Sequence, residues 1–243
     1  EDSLRITRWS EIIDKIYRFR DNYIGDISYM KIDPAKYVRY KDIKDLDIDK
    51  PQTPSTSDGD TTFFVVGDRY GNVIGFIQSL YYPFGSGVVA KGIVFQNRGA
   101  GFSYDKNKPN SPAPQKRPLH TLSILLVRDY EENALYSIGC AGGHWRPQIH
   151  TRIYENIFVY SLGLEQVVEA PRFIYDYSEK DYGLKEIIIE NYLRAPENTR
   201  YAIRYLKKIG GTGAVNILKR DLRNNVVAVA SDPRSEGVAL SLN

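Results

Sequence analysis

Lys50-Pro51-Gln52-Thr53-Pro54-Ser55-Thr56-Ser57-Asp58-Gly59-Asp60 carries two prolines, one glycine and no large apolar side chain. Such a segment has nothing to bury, and its prolines interrupt both helices and strand ladders, so it reads as an exposed linker over 50–60. It divides the chain by texture. Helical periodicity precedes it, and strand sequence starts directly after it at Thr61-Thr62-Phe63-Phe64-Val65-Val66.

On the first side, Ile12, Ile13, Ile16 and Phe19 recur at helical spacing behind Ser10, which predicts an amphipathic helix from Trp9 to about Arg20. A shorter helical stretch is expected from Ala35 to Tyr40. On the second side, Thr62 to Val66 and Val73 to Leu80 flank Asp68-Arg69-Tyr70-Gly71-Asn72 and predict a hairpin whose glycine takes positive φ. Leu122 to Arg128 and Ala134 to Cys140 predict a second hairpin around Asp129-Tyr130-Glu131-Glu132-Asn133. The apolar runs are nearly continuous, as expected of strands covered on both faces. Pro147 opens a predicted helix with Ile149, Ile153, Ile157 and Tyr160 on one face and Gly163 beyond it. Another helix is expected over roughly Glu197 to Lys208, then strands at Val215 to Leu218 and Val226 to Ala230. Hairpins, helices and hairpins in that order imply an α+β layered domain with mostly antiparallel sheets.

With 243 residues, 42% of them hydrophobic, the chain is long enough to bury a full core. Its 33 basic and 30 acidic residues are intermixed, so no basic stripe points to nucleic acid and no Lys/Arg cluster to a membrane surface. No apolar run approaches the length that spans a bilayer. A single cysteine, Cys140, excludes an internal disulfide framework and a four-cysteine zinc site; it reads as a small buried residue at a strand end. His120, His144 and His150 are few for a metal centre, so neither a metal nor a cofactor is expected. Partners of this composition are small molecules or protein. The chain opens on Glu1 and shows no apolar targeting segment; a cytoplasmic location is the expectation, with a preceding segment left open.

Chemistry is suggested first at the Asp60–Thr61 peptide bond. A threonine released as a chain terminus carries both nucleophile and base: its hydroxyl attacks a carbonyl while its own α-amine, with an unperturbed pKa of about 7.7 to 8.0, accepts the proton. The same residues are also ordinary strand sequence. Gly139-Cys140-Ala141-Gly142-Gly143 ends a strand and leads through His144-Trp145-Arg146 into the helix at Pro147. Backbone N–H groups at such a junction suit a developing oxyanion, and equally a tight connection. Pro83-Phe84-Gly85-Ser86-Gly87 reads chiefly as a turn, and Gly210-Gly211-Thr212-Gly213 lacks the Lys-Ser/Thr of a phosphate loop.

These pieces resemble the small subunit of γ-glutamyltranspeptidases, the glutathione hydrolases. The resemblance rests on blocks in the same order from 61 to 235: Thr61-Thr62-Phe63-Phe64-Val65-Val66, Asp68-Arg69-Tyr70-Gly71-Asn72, Gln78-Ser79-Leu80, Phe84-Gly85-Ser86-Gly87, Lys116-Arg117-Pro118-Leu119, Gly142-Gly143 and Ala230-Ser231-Asp232-Pro233-Arg234-Ser235. Residues 1–60, with Asn22-Tyr23-Ile24-Gly25-Asp26, look like the C-terminal end of that family's large subunit, and 61–243 like the small catalytic subunit. The family's N-terminal half is not in the sequence and is an implied partner; a homo-oligomer is left open.

The resemblance implies an N-terminal-nucleophile hydrolase with a four-layer αββα sandwich, 1–60 and 61–243 forming one domain that cuts itself between Asp60 and Thr61. It assigns Thr61 as nucleophile, Ser79 as the supporting hydroxyl in place of the usual threonine, and the backbones of Gly142 and Gly143 as oxyanion donors. It also marks departures. Arg98 and Gly101 stand where glutamyl-specific members carry a glutamine or glutamate and an acid that hold the substrate's α-amino group. His120-Thr121 replace paired serines that bind its carboxylate, and Tyr81 replaces an asparagine. An ammonium facing Arg98 is repelled rather than paired. Gln96-Asn97-Arg98-Gly99, Pro109-Asn110, Arg117-Pro118-Leu119-His120-Thr121-Leu122 and Pro147-Gln148 look more like the branch that includes oxamate amidohydrolase. The expected activity is hydrolysis of a small acidic amide, with Arg98 clamping a carboxylate unless it lies in a surface salt bridge. Transpeptidation or glutathione hydrolysis proper, and a non-catalytic relative that never matures, are the alternatives.

Overall fold

A computed structural model describes residues 2–48, 60–180, 184–197, 199–207 and 209–241. The linker expected over 50–60 lies outside the described residues except for Asp60.

Helix α1 (Asp2–Tyr23) runs further at both ends than the apolar pattern predicts. Ile6, Ile13 and Tyr17 lie on its buried face. The short helix expected over 35–40 is instead a pair of 3₁₀ turns, Pro34–Tyr37 and Tyr40–Asp42. The first is started by Asp33, whose carboxylate accepts from the Ala35 N–H at 3.0 Å.

Strands β1 (Asp60–Gly67) and β2 (Val73–Tyr81) form the first predicted hairpin. Asp68 ties its turn by accepting from the N–H groups of Tyr70 and Asn72, each at 2.9 Å, and Gly71 takes φ +102°. Thr61 pairs with Ser79 and Phe63 with Ile77, which puts all four side chains on one face. That face packs on β6. The Phe63 ring lies so close over Gly139 that a Cβ there would be 2.2 Å from it, and Asn216 Nδ2 holds the Phe63 carbonyl at 2.8 Å.

After the short ribbon β3 (Val89–Ala90) and β4 (Ile93–Val94) comes the second predicted hairpin, β5 (Ile124–Asp129) and β6 (Ala134–Ala141). It joins β10 (Ala214–Asp221) and β11 (Val226–Ser231) in an antiparallel sheet of order β11-β10-β6-β5. Helices α2 (Arg146–Phe158) and α3 (Leu164–Glu169) cover its other face. Ile138, Cys140, Ile149, Ile153, Val167 and Ile217 form the core between them. Strand β6 is buried on both faces, as its continuous apolar run predicts, whereas β1 and β2 alternate.

A third sheet, β7 (Phe173–Lys180), β8 (Leu184–Glu190) and β9 (Ala202–Leu206), was not expected. The helix predicted over 197–208 is β9, because the chain there finds a parallel partner in Glu186–Glu190, and pairing overrides local helical spacing. Ile174 and Ile188 face α2 and α3, while Phe173, Tyr175, Ile187 and Ile189 face α1. The layers thus run β1-β2 hairpin, four-stranded sheet, α2/α3, three-stranded sheet, α1. The outer face of the hairpin shows Phe64 and Phe76 stacked at 5.1 Å and 44% and 47% exposed. Among the described residues no helix covers it.

Two buried arginines clamp the far end of this stack. Arg172 Nη2 lies 2.6 Å from Asp232, and Arg234 reaches Asp232 at 3.0 Å and Glu190 at 2.5 Å. The N–H groups of Val215 and Arg172 donate to the Asp232 and Glu190 carboxylates, so two cations and two anions balance in the interior.

Candidate active site

Thr61 and Ser79 are cross-strand neighbours at the mouth of the hairpin. Beyond them the ladder slips: Asp60 pairs with Tyr81, so Leu80 has no opposite number, and Tyr81 takes φ +81°. This bulge lies across from the Asp60–Thr61 peptide bond and frees it from regular pairing. The Tyr81 N–H donates to Ser79 Oγ at 3.0 Å.

Arg146, the first residue of α2, is 0% exposed. Its Nε donates to the Cys140 carbonyl at 2.8 Å, one terminal nitrogen donates to the Thr121 carbonyl, and the other reaches Thr61 Oγ1 at 3.3 Å. Arg98, 9% exposed, sits on the other side of Thr121. It donates to the Thr121 hydroxyl at 3.4 Å and the Ser79 carbonyl at 3.3 Å, and its guanidinium lies 5.3 Å from the centre of the Tyr81 ring. Burial lowers the pKa of both, and Arg98 lowers that of Arg146 further. Among the described residues neither pairs with a carboxylate, in contrast to Arg172 and Arg234. The surface salt bridge considered for Arg98 is therefore not what the structure shows. Two desolvated cations without counterions among the described residues make this an electropositive site.

The oxyanion candidates follow β6. Gly142 has φ +153° and Gly143 φ +48°, and a Cβ on Gly142 would lie 2.6 Å from Ile149. The junction thus needs glycine for conformation and for space. His144 comes next, with Arg20 at 3.2 Å from its Nδ1. Burial, reinforced by Arg20, Arg146 and Arg98, pushes its pKa down to about 3, so it is a neutral imidazole. A cavity of about 130 Å³ opens here, lined by His120, Thr121, Gly143 and His144 among others. The exposed His120 accepts from the Leu122 N–H at 3.3 Å. Cys140 is fully buried and its thiol is pushed up to about 12, which leaves it inert.

Tyr81 and Gly101 prove to be neighbours, since a Cβ on Gly101 would lie 3.3 Å from the Tyr81 hydroxyl. Asn110 holds the loop in place, donating to the Gly101 carbonyl and accepting from the Leu119 N–H, both at 2.7 Å. The site therefore brings together Thr61, Ser79, Tyr81, Arg98 and Thr121, with His120 at the edge of the cavity. Sequence reasoning missed Arg146 and Asn216. Arg146 stood in the strand-to-helix junction, but nothing in local spacing says that its guanidinium turns back onto Thr61.

The γ-glutamyltranspeptidase family model matches residues 1–242. The chain belongs to this family. Among relatives, it is 28% identical over 98% of its length to the oxamate amidohydrolase proenzyme of Klebsiella pneumoniae, covering 47% of that protein. It is 34% identical over 72% of its length to the glutathione hydrolase-like YwrD proenzyme of Bacillus subtilis, covering 35% of it. The chain thus spans about half or less of the curated relatives it matches. Among solved structures, the cephalosporin acylase from Bacillus halodurans superposes with a TM-score of 0.74 at 22% identity, over 98% of this chain and 45% of that one. The γ-glutamyltranspeptidase from Pseudomonas nitroreducens complexed with L-DON gives 0.59 at 24% identity, over 75% of this chain and 100% of that one. The fold of this γ-glutamyltranspeptidase family member is accordingly the α+β fold with mostly antiparallel sheets that these structures share; of the four αββα layers expected, the described residues supply the two facing sheets and the helices α2 and α3 on one side.

Proposed function

We propose that this member of the family is a self-processing amide hydrolase that uses Thr61 as an N-terminal nucleophile and acts on a small acidic amide. The observation that carries the substrate class is the pair of buried arginines, Arg98 and Arg146, neither of which pairs with a carboxylate among the described residues. A substrate carboxylate supplies the missing charge, and a bidentate guanidinium suits it. In maturation Thr61 Oγ1 attacks the Asp60 carbonyl carbon, the C–N bond breaks to free the α-amine, and water hydrolyses the resulting ester. In turnover the same hydroxyl attacks the substrate amide and passes its proton to that amine. The N–H groups of Gly142 and Gly143 receive the oxyanion, the leaving amine departs with the proton, and water releases the acyl group. Ser79 supports the Thr61 hydroxyl from the paired strand.

The rest of the precursor is the natural cover for the apolar outer face of the β1-β2 hairpin, and is a proposed partner. The substrate class is tested with a panel of oxamate-like amides, γ-glutamyl amides and N-acyl amides, with and without an acceptor dipeptide. Turnover of the small acidic amides that is abolished by Thr61→Ala is expected. Activity confined to γ-glutamyl compounds, or acyl transfer that requires the acceptor, overturns the assignment.

A further inference from the structure

We infer that Arg146 is a positioning residue that sets the reactivity of Thr61 in two ways: it orients the nucleophilic hydroxyl, and its charge keeps the freed α-amine in its basic form. The inference rests on Thr61 being the nucleophile and gives Arg146 a role in the reaction beyond its charge toward a substrate carboxylate.

The orientation argument is geometric. Arg146 is fixed at three points by two carbonyls and the Thr61 hydroxyl, inside a site from which it is wholly excluded from water. A guanidinium offers no acceptor, so its contact at 3.3 Å occupies a lone pair of Oγ1 and turns the O–H proton away from α2. That contact strengthens as the oxygen takes on negative charge, because a hydrogen bond with an ionised partner is roughly twice as strong as a neutral one. Of the five N–H donors, three are engaged, the Nε–H and one on each terminal nitrogen.

The second effect is electrostatic. The nitrogen and Oγ1 of one threonine are about 3 Å apart, so the freed amine lies close to the same cation. A neighbouring like charge disfavours the ammonium and lowers its pKa from the usual value of about 7.7 to 8.0. Among the described residues, the groups packed around Thr61 and Arg146 leave this charge uncompensated. Strand β2 brings the phenol of Tyr81, β6 the protonated Cys140, and β10 the amide of Asn216. The turn after β6 brings His144 and α2 brings His150, whose pKa values are pushed down to about 3 and about 4 by burial first and by Arg146 as well. The loop brings His120, also lowered, and a second cation, Arg98. Asp60 becomes the terminus of the other piece once the bond is cut.

Arg146→Gln and Arg146→Lys test the inference, with melting temperature, intact mass and the pH profile of kcat/KM on an oxamate-like amide. In Arg146→Gln, maturation and kcat are expected to fall about tenfold or more, and the acidic limb to move up by about one pH unit. Arg146→Lys keeps the charge but loses the fork: its limb stays near that of wild type while kcat falls. A folded Arg146→Gln with unchanged limb and kcat overturns the inference, as does an Arg146→Lys with unchanged kcat should the glutamine variant not fold. Wild type that never splits overturns the role of Thr61 itself, and with it that of Arg146, a result read before any Arg146 variant is made.

Discussion

Tyr81 and Gly101 depart together from the glutamyl-specific pattern and lie against each other: a Cβ at 101 would be 3.3 Å from the phenol oxygen, so a longer acidic side chain there has to displace it. Gly101→Asp alone is expected to clash and to lower activity on every substrate. With Tyr81→Asn beside it, the aspartate fits, partly neutralises Arg98 and raises kcat/KM for an ammonium-bearing γ-glutamyl anilide relative to an oxamate-like amide. An unchanged ratio in the double variant would show that these two positions do not govern specificity. Ser79→Ala removes the hydroxyl opposite Thr61 and is expected to slow maturation by about tenfold or more, the scale of a lost hydrogen bond near charge, as measured by intact mass over time. The buried histidines make a separate statement about stability. His144 and His150 have folded pKa values of about 3 and about 4 against 6.5 in the unfolded chain. Their contribution is complete above pH 6.5 and is lost progressively as pH falls toward 4, because only the unfolded state takes up protons there. Urea midpoints measured between pH 7 and pH 4 should fall, and His144→Asn should flatten the slope.

Within the elements, the position of Thr61 is set two residues away. Phe63 lies over Gly139, and Asn216 of β10 holds its carbonyl, so β1 is pinned to the four-stranded sheet beside the site. Gly139→Ala puts a methyl group into the Phe63 ring; a loss of about 1–3 kcal/mol from overpacking is expected in denaturant titration, with a fall in activity as β1 shifts. The hairpins were legible in the sequence because alternation and the Asp68–Asn72 turn encode them locally. The helix from Pro147 was legible for the same reason, through its apolar spacing. The sheet β7-β8-β9 was not, because its strands are specified by partners distant in the chain: Ala202–Leu206 has helical spacing of its own but pairs in parallel with β8. The site divides along the same line. Thr61, Ser79 and the glycine pair are candidates that ordered motifs single out, whereas Arg146 reaches Thr61 through a turn-back onto β1 that spacing cannot show.

At the scale of the whole molecule, charge is treated in two opposite ways. Arg172 and Arg234 are matched by Asp232 and Glu190, which tie the end of the four-stranded sheet to β8 and to the carbonyls that end α3. Burial pushes Glu190 up, but hydrogen bonds from Arg234 and Thr212 outweigh it and hold its carboxyl below the usual range. Asp232→Asn leaves Arg172 without its counterion and is expected to cost about 3–5 kcal/mol by thermal or chemical melt, the penalty of breaking a buried pair. Arg98 and Arg146 are left unmatched among the described residues, where a bulge opens the ladder beside Thr61. The central claim is that this place cuts its own chain and then works from the new terminus. Intact-mass analysis of the folded protein over time tests it most directly. Two pieces meeting at Asp60 and Thr61, with Thr61→Ala remaining whole, are expected; a folded wild type that stays a single chain contradicts it.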